Sequence, residues 1–323
     1  MKKVIIGIIL SVILVYFSLR GIDFKAVMAG FRKIDYHFIY PMVLLLVAMQ
    51  VIRSIRWGLL LSPLEKVSQF NLFSVTSVGF MAIVSIPARL GELARPYLIS
   101  RKSGIKMSSA LGTIFIERVF DSLTVFAVFL LTLALTPLPL WLVLSSVLFL
   151  GLTVIIIVMM FLLLFQREAC FRIITPAVCR LPARISGIIN NLIHHFIDGF
   201  QIIRDIKTLL AVAVLSVLFW LCDIGSIYFM FRAFHFDLPL IATCVLLVIL
   251  MIGIAIPAGP GFVGNWHFFC ILGLAVYGVP KAEALSFAII YHFLSIGIIV
   301  LLGLLFLPFN RFSLTDVKKT MNN

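Results

Sequence analysis

The chain has 323 residues, 63% of them hydrophobic and only 12% charged, with a mean hydropathy of +1.19. Ordinary soluble domains carry about 25% charged residues, so this composition excludes a water-soluble fold and leaves a helical protein solvated mostly by lipid. The net charge of +13, from 26 Lys and Arg against 13 Asp and Glu, lies largely beside apolar runs and speaks for topology and anionic headgroups, not nucleic acid.

In chain order, Met1-Lys2-Lys3 and the run Val4 to Leu19 imitate a signal peptide. Phe17-Ser18-Leu19-Arg20 offers no small-residue cleavage site, so a retained first span is predicted. A polar, mildly amphipathic connector with Arg20, Asp23, Lys25, Arg32, Lys33 and Asp35 leads to a second span, about His37 to Leu61. Near its end Arg53 and Arg56 share a helix face. Phe70 to Ile86 is apolar but short. Span three covers about Ser108 to Leu133 and span four about Leu140 to Phe165, joined by the uncharged Thr136-Pro137-Leu138-Pro139. The basic segment 166–207 repeats its apolar residues at helical spacing and is predicted as an amphipathic helix on the membrane surface. Span five runs from about Thr208 to Phe231. Leu238 to Ile256 and Val263 to Tyr277 are apolar, and span six runs from about Ala282 to Leu307. The positive-inside rule puts segment 166–207 and both termini in the cytoplasm.

Two breaks interrupt this series. Pro87 removes a backbone donor and disfavours helix at Ile86, Gly91 frees the backbone, and Arg89, Glu92 and Arg95 crowd beside it. Ile256-Pro257-Ala258-Gly259-Pro260-Gly261 repeats the pattern downstream. Broken backbone at membrane depth is tolerated only within protein or a wet cavity, so the breaks mark the predicted functional centre.

The count requires each broken segment to enter and leave on one side. Ile86-Pro87-Ala88 leads to Ala110-Leu111 and Glu117-Arg118, and Ile256-Pro257-Ala258 leads to Ala284-Leu285 and Tyr291-His292, with the same seven-residue spacing between the last two pairs. The expected fold is an all-α polytopic membrane protein in a single domain, with about six full transmembrane helices. Two re-entrant broken-helix hairpins form an inverted repeat over about 70–133 and 238–307, a transporter architecture.

Glu117, Arg118 and Asp121 fall inside span three, Glu117 ~14 Å along from Ser108, about halfway through a ~30 Å core. A charge there costs at least ~2.5–3.5 kcal/mol unless it is paired or wet. Either an internal ion-pair cluster staples helices, or these residues face a cavity and a substrate. Asp223 is deep in span five with Arg118 and Arg53 as candidate partners. His292, in span six, suits either a site or a hydrogen bond to a neighbouring helix. In Asn265-Trp266-His267, the Trp is expected as an interface anchor. There is no CxxC among the five cysteines, and no HExxH, GxSxG, Walker or GxGxxG motif, so no metal, cofactor or enzymatic activity is expected.

The stretches IPARLGELARPYLISRKSG, ALGTIFIERVFD and IPAGPGFVG resemble the transmembrane domain of lysylphosphatidylglycerol synthases. That family includes the membrane half of the bacterial multiple peptide resistance factor and stand-alone flippase-like proteins. Arg89, Gly91, Glu92, Glu117, Arg118 and Asp121 match its first motif block, and Pro257, Gly259 and Gly261 its second. The resemblance implies a flippase of the bacterial inner membrane that moves an aminoacylated or carrier-linked lipid between leaflets. Only a short tail follows Leu307, so the protein is not expected to make that lipid. The expected substrate site is Arg89, Glu92, Glu117, Arg118, Asp121, Asp223 and His292, with Pro87, Gly91, Pro257, Gly259 and Gly261 as broken-helix positions. An accessory subunit that delivers lipid to a separate synthase or glycosyltransferase is the alternative, and a carrier of water-soluble solutes a third.

Overall fold

In hydrocarbon there is no water to satisfy backbone N–H and C=O groups, so such a chain closes them within its own helices. The computed structural model describes residues 2–86, 91–165, 199, 205–256 and 259–310, and these are helical without a strand. The helices are α1 (Lys2–Leu19), α2 (Phe24–Arg32), α3 (Ile39–Leu61), α4 (Gln69–Ser85), α5 (Ala94–Lys102), α6 (Met107–Leu135), α7 (Leu140–Phe165), α8 (Ile206–Ala233), α9 (Leu240–Ala255), α10 (Asn265–Ala275) and α11 (Lys281–Phe306). Pro87, Arg89, Pro257 and the expected surface helix over 166–207, apart from Gly199 and 205–207, lie outside the described residues.

Four stretches are long and apolar enough to cross a bilayer: Tyr36–Leu61, Met107–Leu135, Ile206–Ala233 and Lys281–Phe309. Gly7–Leu19 and Phe24–Arg32, bent by 85°, make a fifth if taken as one broken span. Gln69–Ser85, Leu140–Ile155 and Leu240–Ala255 are shorter apolar helices. Six full spans would require α1 and α7 each to cross alone.

The connector after α1 is more ordered than its polarity suggests. The Asp23 carboxylate accepts the Lys25 N–H at 2.9 Å and caps α2, whose Val27 carbonyl accepts the Ser286 hydroxyl of α11 at 3.0 Å. Lys281 Nζ donates to the Phe17 and Arg20 carbonyls at 2.9 and 2.7 Å, satisfying acceptors that the end of α1 leaves orphaned. Asp35 caps the next turn, and the His37 backbone N–H at 3.0 Å helps hold its carboxyl below the ordinary range.

Both breaks are reversals. Ile86 is extended, as the following proline demands, and the chain then folds back along α4. A Cβ on Gly91 would stand 2.2 Å from the Ala82 carbonyl oxygen, and one on Gly79 would stand 2.3 Å from the Arg95 side chain. Lys102 Nζ reaches Asn71 Oδ1 at 3.5 Å. At the second break Gly261 and Gly264 take φ of +64° and +91°, and α10 returns along α9. Asn265 Nδ2 donates to the Gly253 and Ile256 carbonyls at 3.1 and 3.2 Å, while Phe269 covers Gly253. Both segments therefore run apolar helix, break, 3₁₀ turn, short returning helix, long helix.

Packing is reciprocal. α4 lies on α11 and α9 on α6, so the first helix of each hairpin contacts the long helix that follows the other. The α3–α8 pair stands between them. Two apolar clusters result, one around Phe231, Leu246, Phe287 and Tyr291, the other around Trp57, Leu60, Val75 and Ile116.

Because backbone, not a flexible side chain, occupies the space over Gly91, Gly91→Ala is expected to cost about 1–3 kcal/mol. Gly297→Ala, with nothing within 4 Å of its added methyl, is expected to be neutral or slightly stabilising. Thermal unfolding in detergent compares them; equal shifts would remove the close approach at the first reversal.

Candidate functional site

Charge at hydrocarbon depth needs a partner or a wet cavity, and the described residues supply ion-pair partners and a cavity. The inner layer is an ion-pair network. Glu117 of α6, 0% exposed, accepts Arg95 Nη2 at 2.9 Å and Nη1 at 3.3 Å, and Arg56 Nη2 at 3.1 Å. Arg56 of α3 also donates through Nη1 to Asp121 Oδ1 at 2.7 Å and to Ser216 Oγ of α8 at 2.9 Å. Arg95, near the start of α5, stacks 4.3 Å over the Trp57 ring, and Trp57 Nε1 donates to Thr113 at 3.2 Å. Glu117 and Asp121 lie four apart on one face of α6, which lets Arg56 bridge them. The network joins α3, α5, α6 and α8.

The outer layer lines a cavity of about 420 Å³ whose wall is mostly apolar (Leu46, Met251 and Ile299 among others) but carries Arg53, Glu92, Arg118, Asp121 and Asp223. The Arg118 side chain is 47% exposed and reaches Asp121 Oδ2 only at 3.5 Å. Arg53 donates to Gln50 Oε1 at 2.8 Å, and its guanidinium lies 3.8 and 4.8 Å from the Phe80 and Phe219 ring centroids. Among the described residues no carboxylate comes within 4.0 Å of Arg53 and no cation within 4.0 Å of Asp223. Tyr291 OH donates to Asp223 Oδ1 at 3.3 Å, and Ser226 Oγ lies 3.5 Å from the same oxygen. The cavity thus presents a guanidinium and a carboxylate without an ionic partner among the described residues, in a largely apolar wall.

Of the residues expected at the site, Glu92, Arg118, Asp121 and Asp223 come together at this cavity. Glu117 sits behind it, occupied by two arginines. His292 is not part of the wall. Its Nε2–H donates to the Gly261 carbonyl at 2.7 Å and pins the second turn, where the Gly259 N–H also donates to Ser11 Oγ of α1 at 2.7 Å. Gly91 is buried in the first reversal. The ion pair of Asp223 with Arg118 or Arg53 does not form, because Asp223 turns to hydroxyls instead. Trp266 corrects its expected place at an interface: it lines the cavity and stacks on Tyr291 at 5.6 Å. Arg53, Arg95 and Tyr291 were not among the expected site residues. The Arg53–Arg56 spacing was a signal for the first; for Arg95 only the excess of buried acid in α6 pointed to a missing base.

A multi-pass helical membrane protein with a charged internal cavity is the class that this fold and site define. Residues 4–303 match the family model described as the lysylphosphatidylglycerol synthase TM region, and the chain belongs to that family. A "UPF0104 membrane protein" of Methanothermobacter thermautotrophicus is 25% identical over 303 residues, which cover 88% of this chain and 89% of the relative. Another UPF0104 membrane protein, of Methanocaldococcus jannaschii, is 26% identical over 221 residues, 68% of this chain and 89% of the relative. These relatives are archaeal, so the bacterial setting expected from the resemblance is not carried by them. No solved structure matches the chain.

Removing one partner of a buried ion pair strands the other, so Glu117→Gln is expected to destabilise by about 3–5 kcal/mol. Arg118→Ala, at a half-exposed weak pair, is expected to cost no more than about 1 kcal/mol. Unfolding temperatures in detergent decide: a Glu117→Gln protein that melts with the parent would show that the network holds nothing.

Proposed function

We propose that this protein moves a phospholipid between leaflets, the headgroup crossing through the charged cavity while the acyl chains stay in lipid. One observation carries this function: a cavity of about 420 Å³ that offers Arg53 and Asp223 without ionic partners from the described protein. Guanidinium groups match phosphate geometry, which suits Arg53 and Arg118 to the phosphodiester, and Asp223 to a cationic group. Membership of a family named for a lipid synthase's membrane region supports lipid as the substrate. Aminoacylated and carrier-linked lipids are among the candidates, and no catalytic role, cofactor or metal enters the proposal.

The arrangement proposed is six spans (α1, α3, α6, α7, α8, α11) with two hairpins entering from opposite faces of the cytoplasmic membrane and both termini in the cytoplasm. Contacts at the hairpin mouths support it. The mouth of the first joins the end of α3 and the segment after α11, since Gly104 N–H donates to Glu65 at 2.7 Å and Asn310 Nδ2 to Ser74 at 2.6 Å. The second adjoins the start of α11, where Lys281 holds the end of α1. Rocking one segment against the other about the cavity would then give alternating access.

In liposomes containing only this protein, labelled headgroups are expected to cross, and Arg53→Gln and Asp223→Asn to slow crossing by about tenfold or more at unchanged unfolding temperature. No crossing for any phospholipid tried would transfer support to an accessory subunit serving a separate synthase or glycosyltransferase. In a cysteine-free background, Arg101→Cys and Glu283→Cys are expected to react with impermeant reagent from opposite faces; reaction from one face would end the inverted arrangement.

A further inference from the structure

Among the described residues the charges around the cavity leave Asp223 without an ionic partner. Glu117 is closed off by Arg56 and Arg95, Asp121 is shared by Arg56 and Arg118, and Glu92 is itself engaged. Asp223 differs. Both hydroxyls near it, from Tyr291 and Ser226, address Oδ1, and among the described residues Oδ2 has no partner. Tyr291 and Trp266 line the same cavity, and Ser295, one turn along α11 from Tyr291, has a hydroxyl without a partner among the described residues. An ammonium carries three donors and no acceptor, which fits a carboxylate oxygen and a hydroxyl oxygen beside aromatic side chains. In the same wall Arg53, steadied by Gln50 and two phenyl rings, and the half-exposed Arg118 offer donors to an anion.

From this we infer that the cavity selects a headgroup with one phosphate and one ammonium, a zwitterion of zero net charge. A headgroup with phosphate alone leaves Asp223 facing nothing, and one with two ammonium groups brings a second cation toward Arg53 and Arg118. The inference depends on the transport proposal for its biological sense, since a lipid must enter the cavity, but its geometry and its test concern binding alone.

The test is native mass spectrometry of the full chain exchanged against equal amounts of phosphatidylethanolamine, phosphatidylglycerol and lysyl-phosphatidylglycerol. The ethanolamine lipid is expected to be retained about tenfold over phosphatidylglycerol and also above the lysyl lipid. Asp223→Asn is expected to bring the ethanolamine-to-glycerol ratio near one without reducing retention of phosphatidylglycerol, and Arg53→Gln to lower both lipids alike. Equal retention of the first two by the unaltered protein, preference for the lysyl lipid, or a ratio that survives Asp223→Asn overturns the inference. If Asp223→Asn does not fold, the comparison with the unaltered protein decides alone. Selective binding without translocation would sink the transport proposal and leave this one standing; equal translocation of all three lipids with equal binding would do the reverse.

Discussion

The structure depends on one arrangement, a carboxylate held between two guanidinium groups where water is excluded. Glu117 with Arg56 and Arg95 cannot be opened cheaply, because either half alone would be a bare charge at depth. The pair therefore fixes more than itself. It draws α5, and with it the whole first reversal, onto α6 and α3, and it sets the rotation of α6. With Glu117 turned inward, its neighbour Arg118 is carried round the helix to the cavity wall, and Asp121, one turn on, touches both layers.

The two hairpins share an order of elements but not a kind of anchorage. The first is held by ionic bonds through Arg95. The second is held by neutral ones: Ser11 to the Gly259 N–H, His292 to the Gly261 carbonyl, and Asn265 to two carbonyls of its own hairpin. Neutral hydrogen bonds are worth about 0.5–1.5 kcal/mol each, against several for stranding a buried charge. Similar backbones thus differ in what a single substitution would strand.

Much of the fold was legible because its signals are local. Apolar runs gave helix bounds within about two residues of those observed, and Pro87 with Gly91 and the Pro-Gly cluster after Ile256 located both breaks. The 85° bend between α1 and α2 was not legible, since amphipathic spacing predicts a helix but not the direction in which it leaves. The site was legible only in part. Arg95 looked like one more positive charge beside a break; that the chain reverses and lays it over Gly79, facing Glu117, is a property of the turn and not of the spacing. Asp223 was conspicuous by its cost, yet which residue lies across from it depends on how α8 and α11 are rotated. His292 was noticed for its polarity, but the Pro-Gly cluster that announces the break does not say which of its carbonyls the imidazole meets.

The matched Ala-Leu spacing of the two segments leads to groups with different partners. Glu117 and Tyr291 each follow an Ala-Leu pair at the same spacing, one on α6 and one on α11. Each reaches the central α3–α8 pair, Glu117 to Arg56 of α3 and Tyr291 to Asp223 of α8. In the first segment the group at this position opposes the charge it meets, so Arg56 is neutralised and becomes part of the frame. In the second segment the equivalent group is a hydroxyl, which steadies Asp223 without cancelling its charge. Among the described residues the first segment thus closes an ionic frame, while the second leaves Asp223 without an ionic partner. A carboxylate meeting Arg56 cancels a charge, and a hydroxyl meeting Asp223 does not, so the two contacts give the cavity chemically different walls.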